Sequence, residues 1–119
     1  MIVQVRPAQL QAWFEQLAAD PGLAPLVLDV REPWELQTAS IRAPQGFETL
    51  ETLAIPMGSI PDQLAMLDKA RPIACLCHHG MRSQRVAAFL AHHGFAQVAN
   101  ITGGIDAWSR ELDSSVPLY

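Results

Sequence analysis

Leu26-Val27-Leu28-Asp29-Val30 is an apolar run broken by a single acid. A strand with one face in water would alternate apolar and polar side chains. This run does not, so it reads as a strand buried on both faces, the kind found inside parallel sheets. Ile73-Ala74-Cys75-Leu76 is a second short apolar run, and Val98 to Ile101 a further strand. Ile2 to Val5 and Leu53 to Pro56 supply shorter ones. Helical patterns lie between them. Leu10, Trp13, Phe14 and Leu17 recur at helical spacing after Pro7, which suits a first helical turn, and Asp20-Pro21-Gly22 ends that helix. Glu32 to Leu36 is a short helix with Pro33 in its first turn. Ile60 to Leu67 contains another, with Leu64 and Leu67 facing inward. Ser83 to His93 and Ile105 to Leu112 follow. Gly94 fits a left-handed cap, and Gly103-Gly104 turns the chain. Ser40 to Thr52, punctuated by Pro44 and Gly46, reads as a loop, and Asp113 to Tyr119 as an irregular tail. The expected architecture is an α/β fold over residues 1–119, one domain with a mainly parallel central sheet of about five strands and helices on both faces.

Composition narrows the function. The chain has 119 residues, half of them apolar (50%), which suits one domain with one core. Its net charge is -4 and its eight Lys and Arg are scattered, so no basic patch is available for nucleic acid. No apolar run approaches the roughly 20 residues of a membrane span, and the N-terminus shows no export signal. A cytoplasmic protein is expected, without nucleic-acid or membrane partners. In that compartment Cys75 and Cys77 stay reduced. They lie two residues apart on one strand, so their side chains point the same way across a nearly extended backbone, which excludes a disulfide between them.

The second of these thiols ends the strand Ile73 to Leu76. His78, His79, Gly80 and Met81 separate it from Arg82, and a helix begins near Ser83. In a strand, tight loop and helix of this kind, backbone N–H groups at the helix N-terminus face the thiol. Their partial positive charge favours an anion and a thiolate nucleophile. In open parallel sheets ligands also bind beyond the carboxyl ends of strands, where Cys77 lies.

Three segments resemble the single-domain rhodaneses, sulfurtransferases that pass a sulfane sulfur through a cysteine persulfide. They are Leu28-Asp29-Val30-Arg31-Glu32-Pro33-Trp34-Glu35, the loop Cys77 to Arg82 with its serine-led helix, and Gly94-Phe95 with Asn100-Ile101, Gly103-Gly104-Ile105 and Ala107-Trp108. They span roughly residues 26 to 110 in the family's order. The loop from Cys77 through Arg82 has the length of a rhodanese loop, which encloses one sulfur, and not the longer loop of the related dual-specificity phosphatases. Ala39-Ser40-Ile41-Arg42-Ala43-Pro44 stands where the family commonly has Gly-His-Ile-Pro-Gly-Ala, so the path after the acidic turn departs from the pattern.

The resemblance implies a rhodanese-like domain with Cys77 as the catalytic residue. His78, His79, Gly80, Met81, Arg82 and Ser83 would bind substrate, chiefly through backbone N–H groups around the terminal sulfur, with Arg82 closing the loop and adding positive potential. Partners would be a small anionic sulfur donor such as thiosulfate, a thiol or cyanide acceptor, and a protein persulfide acceptor as a further candidate. No cofactor is implied. No metal is expected either, since His78-His79 lack ligand spacing and His92-His93 suit a helix C-terminus. Imidazole is largely uncharged at pH 7, so His78 and His79 should attract thiosulfate less than Lys or Arg would, and more in acid. Cys75, mid-strand, reads as a core residue, and Asp29 as an acceptor for loop N–H groups. Trp13, Trp34 and Trp108 read as core. The rival functions are a non-catalytic rhodanese-like binding or regulatory module and a small cysteine phosphatase or arsenate reductase.

Overall fold

A computed structural model describes residues 2–17 and 24–119. Five strands form one parallel sheet: β1 (Ile2–Val5), β2 (Leu26–Asp29), β3 (Glu51–Ala54), β4 (Ile73–Leu76) and β5 (Val98–Ile101), in the order β1-β5-β4-β2-β3. The helices are α1 (Leu10–Leu17, after a 3₁₀ turn at Pro7–Gln9), α2 (Pro33–Thr38), α3 (Ile60–Gln63), α4 (Met81–His92) and α5 (Gly104–Glu111). The Asp20-Pro21-Gly22 stop lies outside the described residues. No helix among those described is long and apolar enough to cross a membrane.

The apolar runs take the centre of the sheet. Every residue of β2, β4 and β5 is buried, whereas the edge strands β1 and β3 are partly exposed. Alternation along the central strands sorts side chains to two faces. Val27, Ala74, Leu76, Ala99 and Ile101 meet α1 and α5 through Leu10, Trp13, Phe14, Ile105 and Trp108. Leu26, Leu28, Ile73, Cys75, Cys77 and Val98 meet α3 and α4 through Ile60, Val86, Ala87 and Leu90. Cys75 and Cys77 therefore share one face, as their spacing requires.

Several elements differ from the sequence reading. β3 begins at Glu51, two residues earlier than expected, because as an edge strand it needs only β2 for partner and can carry Glu51 and Thr52 in water. Its ladder runs on past the strand, with the Ile55 and Met57 N–H groups donating to the Asp29 and Val30 carbonyls, each at 3.0 Å. The helix expected over Ile60 to Leu67 is one α turn followed by a 3₁₀ turn, Leu64–Met66; Leu67 is buried and Leu64 half-buried. The segment 40–52 is mostly loop, yet Ile41, Phe47 and Leu50 anchor it in the core. Trp13 and Trp108 are core residues, but Trp34 is 63% exposed, since it projects from the outer side of the six-residue α2.

β2 and β4 are neighbours whose carboxyl ends feed opposite faces. The chain leaves β2 for α2 and the core residues Ala39 and Ile41 on the α1/α5 side, and leaves β4 for α4 on the other. Such a divergence opens a crevice at the strand ends, where α/β folds place their ligands.

Candidate active site

Cys77 follows β4 directly, at the carboxyl end of the sheet where the chain paths from β2 and β4 diverge, and is buried. Its backbone is held by α5: the Ile105 N–H donates to the Cys77 carbonyl at 2.8 Å and the Asp106 N–H to the His78 carbonyl at 3.2 Å. That approach needs glycine. Gly104 has φ +61°, and a Cβ there would overlap the carbonyl oxygens of Cys77 and His78.

The loop then folds back on the sulfur. Gly80 adopts φ +102°, which turns its N–H onto Cys77 Sγ at 3.1 Å and starts α4 at Met81. The helix thus begins two residues before Ser83. Ser83, inside the first turn of α4, is fully buried, with Oγ 3.2 Å from Cys77 Sγ and donating to Asn100 Oδ1 at 2.5 Å. Asn100 is locked in turn, its Nδ2 donating to Gly80 O at 3.1 Å and Gln4 Oε1 at 3.0 Å. Register explains its position: Asn100 pairs with Cys75 across the sheet, directly beneath the loop.

The residues expected to bind substrate divide into groups. Gly80 and Ser83 reach the sulfur. Met81 is 76% exposed and opens α4. The ring of loop N–H groups is represented at Sγ by a single amide, that of Gly80, joined by the Ser83 hydroxyl. His78 and His79 form a stack with ring centroids 3.9 Å apart, and His78 Nε2 is buried without a partner. Arg82 does not project freely toward a donor. It makes a bidentate pair with Glu35 of α2, Nη1 to Oε1 at 2.6 Å and Nη2 to Oε2 at 2.8 Å. The guanidinium therefore brings less uncompensated charge to the site than expected and instead ties the loop to α2.

Glu35 sits in a capping box, its Oε1 accepting the Glu32 N–H at 3.1 Å. The Arg82 hydrogen bonds hold its carboxyl down at about 2 against the opposing effect of burial, with Glu32 and Tyr119 assisting. Beside it, the fully buried Arg31 pairs with Asp29 through Nε to Oδ1 at 2.9 Å and Nη2 to Oδ2 at 2.7 Å. Asp29 also accepts the Arg31 N–H at 3.2 Å, so the loop-acceptor reading holds but a guanidinium shares the role.

Tyr119 completes the site. Its ring lies flat on His78, with centroids 3.9 Å apart and planes 4° from parallel. Its hydroxyl donates to Glu35 Oε2 at 2.7 Å and accepts from Arg31 Nη1 at 3.1 Å. Burial raises the phenol above its ordinary 10, the Glu35 hydrogen bond adds to this and Arg31 opposes it. Glu35, Asn100 and Tyr119 escaped the sequence reading of site residues. Asn100 carried a usable signal, an amide within the apolar run Val98 to Ile101; Tyr119 carried none.

Comparison with known proteins gives a consistent picture. Residues 10–111 match the model of the Rhodanese-like domain family. The chain is 39% identical over 93 residues to Rhodanese-like/PpiC domain-containing protein 12, chloroplastic, of Arabidopsis thaliana, covering 78% of this chain but only 30% of that protein. It is 32% identical to the Thiosulfate sulfurtransferase GlpE of Pseudomonas fluorescens, covering 88% of this chain and 83% of that one. Among solved structures, a rhodanese-related protein from Thermoplasma volcanium superposes with TM-score 0.69 at 29% identity, over 92% of each chain.

Proposed function

This chain belongs to the rhodanese-like domain family, and on that premise we propose that it is a sulfurtransferase working through a Cys77 persulfide. The Cys77 thiolate attacks the outer sulfur of a donor such as thiosulfate. The donor S–S bond breaks, sulfite leaves with the bonding pair, and the transferred sulfur stays on Sγ. A thiol or cyanide then attacks that terminal sulfur and the Cys77 thiolate departs. The sequence is a double displacement with ping-pong kinetics.

One observation carries this reading: a sulfur at a strand end, at the N-terminus of the 12-residue α4, with the Gly80 N–H and Ser83 hydroxyl within hydrogen-bond distance. The Gly80 N–H is a donor fixed in advance at that sulfur, and the Ser83 hydroxyl, whose hydrogen goes to Asn100, can turn to it. The similarity to GlpE supports the same chemistry. Phosphoryl transfer is disfavoured, because Arg82 would have to leave Glu35 to hold phosphate oxygens. Cys75 plays no part: burial, reinforced by the neighbouring Cys77 charge, pushes its thiol far above the ordinary 9.0.

Mass spectrometry tests the proposal. Thiosulfate should add one sulfur to Cys77, cyanide should remove it, Cys77→Ala should abolish cyanide-coupled turnover, and Cys75→Ala should leave it nearly intact. An intact protein that gains no sulfur from thiosulfate or any persulfide would be a binding module.

A further inference from the structure

The Ser83 hydroxyl has one hydrogen, and its neighbours fix where that hydrogen goes. Asn100 Nδ2 directs its two hydrogens to Gly80 O at 3.1 Å and to Gln4 Oε1 at 3.0 Å. Both partners are acceptors, so the carboxamide cannot flip, and Gln4 is itself held by Gln84, Nε2 to Oε1 at 2.5 Å. Asn100 Oδ1 therefore faces Ser83 and takes its hydrogen at 2.5 Å. Toward Cys77 Sγ, 3.2 Å away, Ser83 Oγ presents lone pairs alone. The hydrogen that fits between them is that of Cys77 itself. The network is thus drawn for a thiol that donates to Ser83 and accepts the Gly80 N–H at 3.1 Å.

We propose that Asn100 is a positioning residue for the nucleophile, which holds the Ser83 hydroxyl away from Cys77 in the thiol and yields it when the thiolate forms. This deepens the sulfurtransferase reading, and its catalytic meaning rests on that reading.

Ionisation sends the Cys77 proton to water. Ser83 Oγ then faces a sulfur that carries lone pairs only, and its hydroxyl turns to that sulfur. Asn100, 4% exposed, is left with an acceptor that no hydrogen reaches. The thiolate gains one hydrogen bond while a buried acceptor loses one, so Asn100 sets how readily the sulfur becomes charged.

The other charged and titratable groups packed near Cys77 are untouched by a change at residue 100. The loop brings His78. Helix α4 brings Arg82, paired with Glu35 of α2, and the exposed Arg85. Strand β2 ends in the paired Asp29 and Arg31, and α5 brings Asp106, paired with Arg110. Helix α3 turns Ile60 to this face, and β5 carries no titratable side chain. Strand β4 brings Cys75, which the test removes.

The test uses the Cys75→Ala chain as parent, so that Cys77 is the sole thiol. It reads the pH at which alkylation by iodoacetamide reaches half its limiting rate. Asn100→Val removes the acceptor and leaves a side chain suited to a strand. It should lower that pH by about one unit, equivalent to a tenfold larger thiolate share well below the midpoint. In a Ser83→Ala background the same substitution should leave the midpoint where it was, because no hydroxyl remains to be released. Asn100→Asp keeps an acceptor for Ser83 and should give a midpoint no lower than the parent. Asn100→Ala, which adds no volume, takes the place of valine if the larger side chain does not fold. An unchanged or raised midpoint on removing the acceptor, an equal fall in both backgrounds, or a fall in Asn100→Asp would overturn the proposal. Absence of sulfur on Cys77 after thiosulfate or glutathione persulfide in every protein would instead sink the sulfurtransferase reading, and the alkylation profiles would still decide what Asn100 does.

Discussion

Cys75 and Cys77 lie on the same face of the same strand end, and both are withdrawn from water, at 0% and 1% exposure. Cys75 is surrounded by apolar side chains of the sheet and α4, and burial drives its thiol up. Cys77 has an amide and a hydroxyl on its sulfur, with the start of a long helix behind them. Exposure does not distinguish them. What distinguishes them is whether the chain beyond the strand turns a polar hydrogen back onto the sulfur, and the loop after Cys77 does so through the Gly80 N–H. Replacing the two cysteines by alanine is the severest trial of this contrast, with sulfur transfer lost at residue 77 and kept at residue 75. Equal losses would mean that the loop contributes nothing.

The next largest effect should come from Gly104→Ala. The added methyl meets the carbonyls that hold Cys77 and His78 to α5, and the backbone there has positive φ. Neither the chain nor the methyl can yield without moving the loop, so we expect a loss on the order of 3 kcal/mol in urea unfolding. Cys77 alkylation should change while the Cys75 environment stays as it is. An alanine variant with parental stability and parental alkylation would show that the α5 amides do not position Cys77.

Much of this contrast was legible in the sequence, and the reason is locality. Strands buried on both faces announce themselves as unbroken apolar runs, and Cys77, Gly80 and Arg82 lie within one short loop. What could not be read depends on contacts made across the fold. Arg82 looked like a free cation because Glu35 stands 47 positions earlier, and Tyr119 meets Glu35 across 84 positions. No spacing rule reports such pairs. Ser83 looked like the helix start because the residues from Cys77 to Arg82 read as loop. The left-handed Gly80 takes over that turn, and the hydroxyl goes to the sulfur and Asn100. Trp34 looked like core because its aromatic mass says nothing about which side of a short helix it occupies.

The Arg82–Glu35 pair yields a pH test of how the loop is tied down. The Glu35 carboxyl is lowered from 4.5 to about 2 in the folded chain, chiefly by the Arg82 hydrogen bonds. A carboxyl lowered on folding stabilises the native state fully above its unfolded value and loses that contribution as acid protonates it. The stabilisation should therefore be complete at neutral pH and decline from about pH 4.5 toward pH 2. Because Arg82 is part-exposed, its size is on the order of 2 kcal/mol. Glu35→Gln should unfold more easily than the parent at pH 7, and the gap should narrow below pH 4.5, by roughly half of that amount at pH 3 and by nearly all of it only below pH 2. A gap independent of pH would mean that the carboxylate charge does not hold the loop.

Ser83→Ala makes the smallest change and the sharpest, since it moves the surroundings of Cys77 one step toward those of Cys75. It removes the hydroxyl 3.2 Å from Sγ and leaves Asn100 Oδ1 without the hydrogen it now accepts. Asn100 cannot simply turn over, because its Nδ2 is committed to Gly80 O and Gln4 Oε1. An orphaned buried acceptor costs about 1–2 kcal/mol, and the thiolate loses a hydroxyl that can turn its one hydrogen from Asn100 to the sulfur. Stability should fall by roughly that much, and persulfide formation from thiosulfate should slow about tenfold. Ser83→Thr, which restores the hydroxyl, should recover most of the rate. If alanine at this position forms persulfide as fast as serine, the Gly80 amide and the helix field alone suffice at the sulfur, and the side-chain hydroxyl serves only to hold Asn100 under the loop.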